Sequence, residues 1–245
     1  MTDYAVRITR LSYTYPDGTK ALEGIDLDVA QGERIAIVGP SGAGKSTLLL
    51  HLNGVLEGST GTVRIMGLNL EPANLRQIRR QVGLLFQDPN DQLFCPTVFE
   101  DIAFGPLNLS VPRDEIPRRV EKALADAGLD YAMRTRTSHH LSLGERRRVS
   151  LAAVLAMEPA ILGMDEPTSN LDPRNRRHLI DVIRGLNATM IIAAHDLELV
   201  LDVCTRTVLM DKGKIWADRE TVSMLSDAQL MDSHGLEVPL SLRRA

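Results

Sequence analysis

The sequence contains only two cysteines, Cys95 and Cys204. Two thiols cannot build a disulfide framework or a cysteine-rich metal cluster, and such scarcity is typical of a protein in a reducing cytosol. The sequence also lacks any run of about 20 apolar residues, so no membrane-spanning helix is predicted. Its N-terminal segment lacks the apolar core of a secretory signal. Any role at a membrane would therefore require a membrane-embedded partner.

The sequence also has few aromatic residues and a small net charge. Aromatics make up 4% of the chain and hydrophobic residues 44%, which predicts a mainly aliphatic core. The 28 basic and 32 acidic residues give a net charge of −4, so no broad basic surface is available for nucleic acid. The length of 245 residues suffices for one large domain or for a core with a subdomain.

A glycine-rich segment lies between apolar runs at residues 34–38 and 48–52, an order that predicts a strand, a loop and a helix. It fits the phosphate-binding pattern G-x-x-x-x-G-K-[ST] without a departure. The glycines would let backbone N–H groups approach a phosphate chain, and the helix would add its positive end. Lys45 would reach the β and γ phosphates, and the Ser46 hydroxyl would hold Mg²⁺. The predicted nucleotide-binding residues are Gly39, Pro40, Ser41, Gly42, Ala43, Gly44, Lys45, Ser46 and Thr47.

A second apolar run, residues 161–164, ends in two carboxylates, Asp165 and Glu166. Mg²⁺ prefers oxygen ligands and keeps several waters, so Asp165 could hold one of those waters. Glu166 could polarise an attacking water at the exit of the strand. The alternative is an ordinary strand followed by an acidic turn, but the phosphate-binding loop favours the functional interpretation. Gly163 is unexpected, because glycine weakens a strand interior.

The pattern along the chain predicts three regions. Residues 4–38 are β-rich, residues 88–149 are helical and interrupted by prolines, and strands alternate with helices from residue 160 onwards. Asp172 and Pro173 are typical of a helix start. Alternation of this kind predicts an α/β fold with a parallel sheet covered on both faces.

The segment Leu141-Ser142-Leu143-Gly144-Glu145 resembles the LSGGQ signature of ATP-binding cassette (ABC) proteins. Other features of that family occur in the same order. Tyr15 resembles the aromatic residue that stacks on adenine, Gln87 the Q-loop glutamine, residues 169–172 the D-loop, and His195 the switch histidine. The resemblance extends over residues 4–220.

The resemblance implies a P-loop NTPase fold. Its RecA-like parallel-sheet core and N-terminal antiparallel β-subdomain would take up residues 1–87 and 151–220. An inserted helical subdomain would take up residues 88–150, followed by a C-terminal tail over residues 221–245.

The resemblance also implies the cofactors ATP and Mg²⁺ and a head-to-tail homodimer with a nucleotide at each interface. The catalytic residues would be Glu166, His195 and Gln87, and Gln87 would join Ser46 and Asp165 at the metal. Tyr15 would bind the base, and the signature residues of the other copy, Ser142, Gly144 and Glu145, would approach the γ-phosphate.

Each of these features has a simpler alternative. Ser142 and Glu145 also form the pattern of a helix capping box, and the two interpretations are compatible. His195 could be structural and Tyr15 could serve packing. Leu143 replaces the usual glycine of the signature, which raises the alternative of a nucleotide-binding regulator with little hydrolysis. We expect Arg146, Arg147 and Arg148 to form a solvated helix face.

Residues 87–106 resemble the ATPases of energy-coupling-factor (ECF) importers, and residues 13–18 and 232–237 resemble the cobalt/nickel branch. The resemblance implies a peripheral ATPase on the cytoplasmic face of the membrane, with a membrane coupling subunit and a substrate-binding membrane component as partners. The apolar side chains that could line a groove for the coupling subunit, with core packing as the alternative, are Leu93, Phe94, Val98 and Phe99. Two further alternatives are an ECF ATPase for biotin or another vitamin, and a soluble ABC ATPase in translation or DNA repair.

Overall fold

The computed structural model describes residues 4–57 and 60–243. The strands are β1 Tyr4–Thr14, β2 Lys20–Ala30, β3 Arg34–Val38, β4 Thr60–Ile65, β5 Leu68–Asn69, β6 Val82–Leu85, β7 Ile161–Asp165, β8 Thr189–Ala193, β9 Arg206–Asp211 and β10 Lys214–Glu220. The helices are α1 Lys45–His51, α2 Leu75–Gln81, α3 Val98–Asn108, α4 Ile116–Asp126, α5 Leu143–Leu155, α6 Pro173–Gly185, α7 Leu197–Val203, α8 Thr221–Leu225 and α9 Ala228–Ser233.

The strands form two sheets. One is antiparallel in the order β2-β1-β4-β5, and the other has the order β10-β9-β3-β8-β7-β6. In the second sheet β9, β3, β8, β7 and β6 run parallel, and β10 pairs antiparallel with β9. The predicted P-loop NTPase fold, with a parallel sheet, an antiparallel sheet and an inserted helical layer, is confirmed.

Aliphatic side chains fill three cores, as the composition predicts. One core lies between the two sheets and around α1, and another lies on the opposite face of the parallel sheet, beneath α5, α6 and α7. The third joins α3, α4 and α5 of the helical layer. Because α5 contributes to two of these cores, it connects the helical layer to the sheet that carries the phosphate-binding loop.

Gly163, unexpected in a strand, is explained by the packing between β7 and its neighbour β6. A Cβ atom on Gly163 would lie 2.5 Å from Cδ2 of Leu84. A larger residue would therefore force the Leu84 side chain to move, close to the carboxylates at the end of β7.

The sequence pattern does not predict the helix α2, and the predicted domain boundary at residue 150 lies within α5. The helix starting at Pro173 is confirmed, because the Asp172 carboxylate accepts hydrogen bonds of 3.0 Å from the N–H groups of Arg174 and Asn175. Throughout residues 4–57 and 60–243, every helix is too short or too polar to cross a lipid bilayer.

Candidate active site

The phosphate-binding loop connects the end of β3 to α1. Gly39 and Gly44 adopt positive φ angles of 150° and 101°. A Cβ atom on Gly39 would lie 1.9 Å from the carbonyl oxygen of Met210, and one on Gly44 would lie 2.5 Å from that of Ala21. The loop therefore needs glycine at both positions because neighbouring backbone approaches too closely for any side chain.

The Lys45 side chain folds back over this loop. Its ammonium group donates hydrogen bonds to the carbonyl oxygens of Gly39 (2.8 Å) and Pro40 (3.1 Å) and lies 3.2 Å from Nε2 of His195. Burial lowers the pKa of Lys45, while the charges of Glu166 and Asp165 oppose this shift. The loop thus places a buried ammonium group where the sequence predicts the phosphates.

Two carboxylates face the loop from the end of β7. Burial raises the pKa of Asp165, while a hydrogen bond from Ser46 and the charge of Lys45 oppose the shift. Among the described residues, Oδ1 of Asp165 and Oε1 of Glu166 are buried and have no hydrogen-bond partner. Buried carboxylate oxygens beside a serine hydroxyl fit the oxygen ligands that Mg²⁺ requires.

Glu166 contacts His195 twice. Its Oε2 accepts a hydrogen bond of 3.0 Å from the His195 backbone N–H, and its Oε1 lies 3.6 Å from Nε2 of the ring. Burial raises the pKa of Glu166, and the His195 N–H and the charges of His195 and Lys45 act against this. Glu166 also has a positive φ angle of 46°, an unusual conformation for a non-glycine residue and one that is frequent at functional sites.

Asp196, the residue after His195, connects the loop that carries the histidine to α6. Asp196 accepts hydrogen bonds from Nε (2.6 Å) and Nη2 (2.5 Å) of Arg176, and a third of 2.8 Å from the Thr168 hydroxyl. This charged, bidentate contact fixes the end of β8 to α6.

Lys45, Glu166 and His195 line a cleft of about 430 Å³, and Gly39, Pro40 and Asp165 of the predicted site lie outside its lining. Tyr15 stands at one side, where its hydroxyl lies 3.0 Å from Oγ1 of Thr47 and its ring packs edge-to-face on Tyr13. Of the predicted site residues, the structure brings together at this cleft Tyr15, Ser41, Gly42, Ala43, Gly44, Lys45, Ser46, Thr47, Gln87, Glu166 and His195.

The signature residues Ser142, Gly144 and Glu145 lie outside this cleft. Ser142 caps α5, and the predicted capping box is confirmed: the Ser142 hydroxyl accepts from the Glu145 N–H, and the Glu145 carboxylate accepts from the Ser142 N–H at 2.8 Å. A Cβ atom on Gly144 would lie 2.5 Å from Cγ of Asn175, so this glycine allows α5 to pack against the start of α6.

The prediction of a solvated arginine face on α5 is wrong for Arg147. This side chain is only 1% exposed, and it donates hydrogen bonds to the carbonyl oxygens of Phe86 and Gln87 and to Ser169. Arg146, in contrast, contacts the exposed side chain of Asn90 at 3.0 Å.

A separate apolar groove, about 520 Å³, lies between α2, α3 and the segment after Gln87. Phe94 and Phe104 are 59% and 47% exposed, and their rings meet edge-to-face at 4.9 Å. Leu93 and Val98 do not line the groove, because they are buried in the helical-layer core, and Phe99 packs against that core. The alternative of core packing therefore applies to these three residues.

Asp101 holds the groove segment in place, a role that the sequence pattern does not predict. It is buried, and its carboxylate accepts hydrogen bonds from the N–H groups of Phe94 (2.9 Å) and Cys95 (2.8 Å) and from the Ser138 hydroxyl (2.5 Å). Asp101 thus connects the groove segment to the turn that precedes the signature. In the sequence it looks like one of two ordinary acidic residues in a first helical turn.

Comparison with known proteins agrees with this architecture. A family model described as ABC transporter matches residues 22–169. The chain is 51% identical over 232 residues to a putative ABC transporter ATP-binding protein of Streptomyces coelicolor, with 95% of this chain and 89% of that protein covered. It is 44% identical over 242 residues to the energy-coupling factor transporter ATP-binding protein EcfA of Carboxydothermus hydrogenoformans, covering 98% of this chain and 89% of that protein.

Two solved structures share the fold. One is cbiO1 from Clostridium perfringens, described as part of the ABC transporter complex cbiONQ, with a TM-score of 0.82, 34% identity and 94% of each chain covered. The other is the ATP-binding cassette MJ0796, a dimer in a post-hydrolysis state bound to ADP and Pi, with a TM-score of 0.79 and 25% identity. That match covers 88% of this chain and 98% of MJ0796.

Proposed function

The chain belongs to the ABC transporter family, and from this premise we propose that it is the ATP-hydrolysing motor of an energy-coupling-factor importer for cobalt or nickel ions. The observation that carries the motor function is the convergence of three groups on one cleft: the Lys45 ammonium, the Glu166 carboxylate and the His195 ring. The resemblance of residues 87–106 to ECF ATPases and the similarity to EcfA and cbiO1 support the importer class.

The proposed chemistry uses the groups at the carboxyl ends of β3, β7 and β8. The Lys45 ammonium would leave the carbonyl oxygens of Gly39 and Pro40 and donate to the β and γ phosphates of ATP. Glu166, held by the His195 N–H, would orient and polarise the attacking water, and His195 would contact the γ-phosphate. Ser46, Asp165 and Gln87 would hold Mg²⁺, which neutralises charge on the phosphates when it is bound.

Ser142 and Gly144, at the N-terminal end of α5, do not line the cleft of their own chain. We propose that a second copy of the chain, arranged head to tail, brings its Ser142 and Gly144 over the bound ATP. The N–H groups at the start of a capped helix would then meet the γ-phosphate. ATP would stabilise the closed pair and ADP would not, which converts hydrolysis into movement of the membrane partner.

The groove with Phe94 and Phe104 is the proposed docking site for the membrane coupling subunit. Both rings are exposed although their apolar area would favour burial; Phe94 lies in the segment that follows Gln87, and Phe104 lies on α3. A helix of the coupling subunit seated here would contact the same segment that lines the nucleotide cleft. Docking would place the chain on the cytoplasmic face of the membrane.

The cargo can be tested by reconstitution. We would co-express the chain with a membrane coupling subunit and a substrate-binding component of an energy-coupling-factor importer, and measure uptake of cobalt, nickel and biotin. Uptake of cobalt or nickel that the Glu166→Gln variant abolishes is the expected result. Uptake of biotin and of neither metal would show that the proposed cargo is wrong. Co-purification of the chain with ribosomes or DNA, but never with a membrane subunit, would favour the alternative of a soluble ABC ATPase.

A further inference from the structure

A buried guanidinium group lies at the junction of three functional segments. Arg147, in the second turn of α5, donates from Nη1 to the carbonyl oxygens of Phe86 (3.1 Å) and Gln87. From Nη2 it donates to the carbonyl oxygen (3.4 Å) and the hydroxyl (3.2 Å) of Ser169. One side chain of the signature helix therefore contacts both the segment with Gln87 and the segment after Glu166.

Nothing else in the described contacts of these segments reproduces this connection. Gln92 reaches the carbonyl oxygens of Leu84 and Ser150 through long contacts of 3.3 and 3.5 Å. Arg146 of α5 contacts Asn90 of the groove segment at 3.0 Å, but this contact does not include Ser169. A planar guanidinium can serve several carbonyls at fixed angles, which a flexible ammonium or an amide cannot do. The geometry thus depends on arginine at this position.

Nearby carboxylates favour the charged form of the buried Arg147 guanidinium. Burial lowers the pKa of Arg147, and the charges of Asp88, Asp165 and Glu166 act in the opposite direction. An arginine remains protonated in proteins, so the site holds a permanent positive charge close to the catalytic carboxylates. Removal of the guanidinium would take this donor from the carbonyl groups of Phe86 and Gln87, which it meets in partly buried hydrogen bonds, and the loss of a hydrogen-bond donor there lowers the stability of the folded state.

We propose that Arg147 is a positioning residue for ATP hydrolysis, which holds the segments of Gln87 and Ser169 at a fixed distance from the signature helix. A partner that moves the groove segment would then move Gln87, the signature helix and the segment after Glu166 together. This inference rests on the proposed roles of Gln87 and Glu166.

The test uses the purified full chain with the variants Arg147→Gln and Arg147→Lys, and Arg146→Gln as the matched control. ATPase rates over a range of ATP concentrations give kcat and KM, and calorimetry with ATP in EDTA gives the binding constant. For Arg147→Gln we expect kcat to fall about tenfold or more because the reacting groups are misplaced, with KM and ATP affinity within about twofold of the unaltered chain. The kcat of Arg147→Lys should lie between those of Arg147→Gln and the unaltered chain, and Arg146→Gln should leave kcat unchanged.

An unchanged kcat in a folded Arg147→Gln protein would overturn the proposal. So would a parallel loss of kcat, ATP affinity and thermal stability without any recovery in Arg147→Lys, since that pattern describes a residue needed only for folding. The assay contains neither membrane partner nor metal cargo, so a wrong cargo would not affect this result.

A second measurement decides the question if Arg147→Gln does not fold. Ser169→Ala removes one acceptor of Nη2 and leaves the arginine in place. We expect Ser169→Ala to lower kcat modestly, and the double variant with Arg147→Lys to lose less than the product of the single losses, because both act on one contact. Independent, multiplicative losses would contradict the proposed connection.

Discussion

The carboxylate of Glu166 accepts a hydrogen bond of 3.0 Å from the backbone N–H of His195, and its second oxygen faces the imidazole Nε2 at 3.6 Å. Because β7 and β8 are parallel neighbours, the residues after both strands emerge at the same edge of the sheet. The backbone contact fixes one carboxylate oxygen and leaves the other without a partner among the described residues, facing the cleft. This arrangement suits a group that must hold a water molecule.

Replacement of Glu166 by glutamine should abolish hydrolysis and spare ATP binding. The amide keeps the size of the side chain but accepts no proton, so we expect kcat to fall by about 10²-fold or more. The variant should accumulate as an ATP-bound dimer in size-exclusion chromatography. Hydrolysis at the normal rate would remove Glu166 as the water-polarising residue.

The same carboxylate should limit hydrolysis in acid. Burial raises the pKa of Glu166 above its ordinary value of 4.5, and only the ionised form can accept a proton. We therefore expect kcat to decrease as the pH falls, with an inflection above 4.5. A rate–pH profile of the unaltered chain checks this, and thermal denaturation at each pH serves as the control for unfolding.

Removal of the Lys45 ammonium should weaken ATP binding. Charge-assisted hydrogen bonds contribute about 1.5–3 kcal/mol each, so Lys45→Ala should raise the ATP dissociation constant roughly 10- to 100-fold. Calorimetry with ATP measures this change directly. Equal affinity of the variant and the unaltered chain would refute a phosphate-binding role for Lys45.

Leu143 is the first residue of α5, next to the capping serine Ser142. If the signature binds the γ-phosphate as proposed, the leucine side chain would stand near the approaching phosphate. We expect Leu143→Gly to raise the ATPase rate by roughly two- to tenfold. Glycine in the first helical turn should cost at most about 1 kcal/mol of stability, which thermal denaturation can verify. An unaltered chain without turnover, even in the presence of its membrane partners, would instead support a regulator.

The groove predicts a separation of partner binding from catalysis. Phe94→Ser combined with Phe104→Ser should release the membrane coupling subunit, while the ATPase activity of the isolated chain stays within about twofold, because neither ring lines the nucleotide cleft. Co-purification measures the release. Val222→Ser, which alters an equally accessible apolar side chain on α8, should leave the complex intact. A stable complex of the double variant would exclude the groove as the docking site.

Local patterns allowed much of this architecture to be predicted from the sequence. The glycine loop, the strand that ends in Asp165 and Glu166 and the helix cap at Asp172 each depend on residues that are adjacent in the chain. Arg147 could not be predicted, because it belongs to a run of arginines and its acceptors lie 60 and 61 residues away. Asp101 could not be predicted for the same reason, since its partner Ser138 lies 37 residues away.

Asp196 offers a stability test of the loop that carries His195. Burial alone would raise the pKa of Asp196, but hydrogen bonds from Arg176, the Leu199 N–H and Thr168 outweigh it and lower the pKa below 3.8. A depressed carboxylate pKa stabilises the folded state above pH 3.8, and this stabilisation disappears as the pH falls through the lower folded-state value. Asp196→Asn should therefore reduce the free energy of unfolding by about 2 kcal/mol at neutral pH, and the difference should shrink in acid.

The control variant is Asp202→Asn, which breaks an exposed ion pair between α7 and Arg184 and should reduce the free energy of unfolding by less than about 0.5 kcal/mol. Urea unfolding at neutral pH and well below pH 3.8 measures both differences, and equal effects of the two variants at neutral pH would show that the contact with Arg176 does not hold the loop.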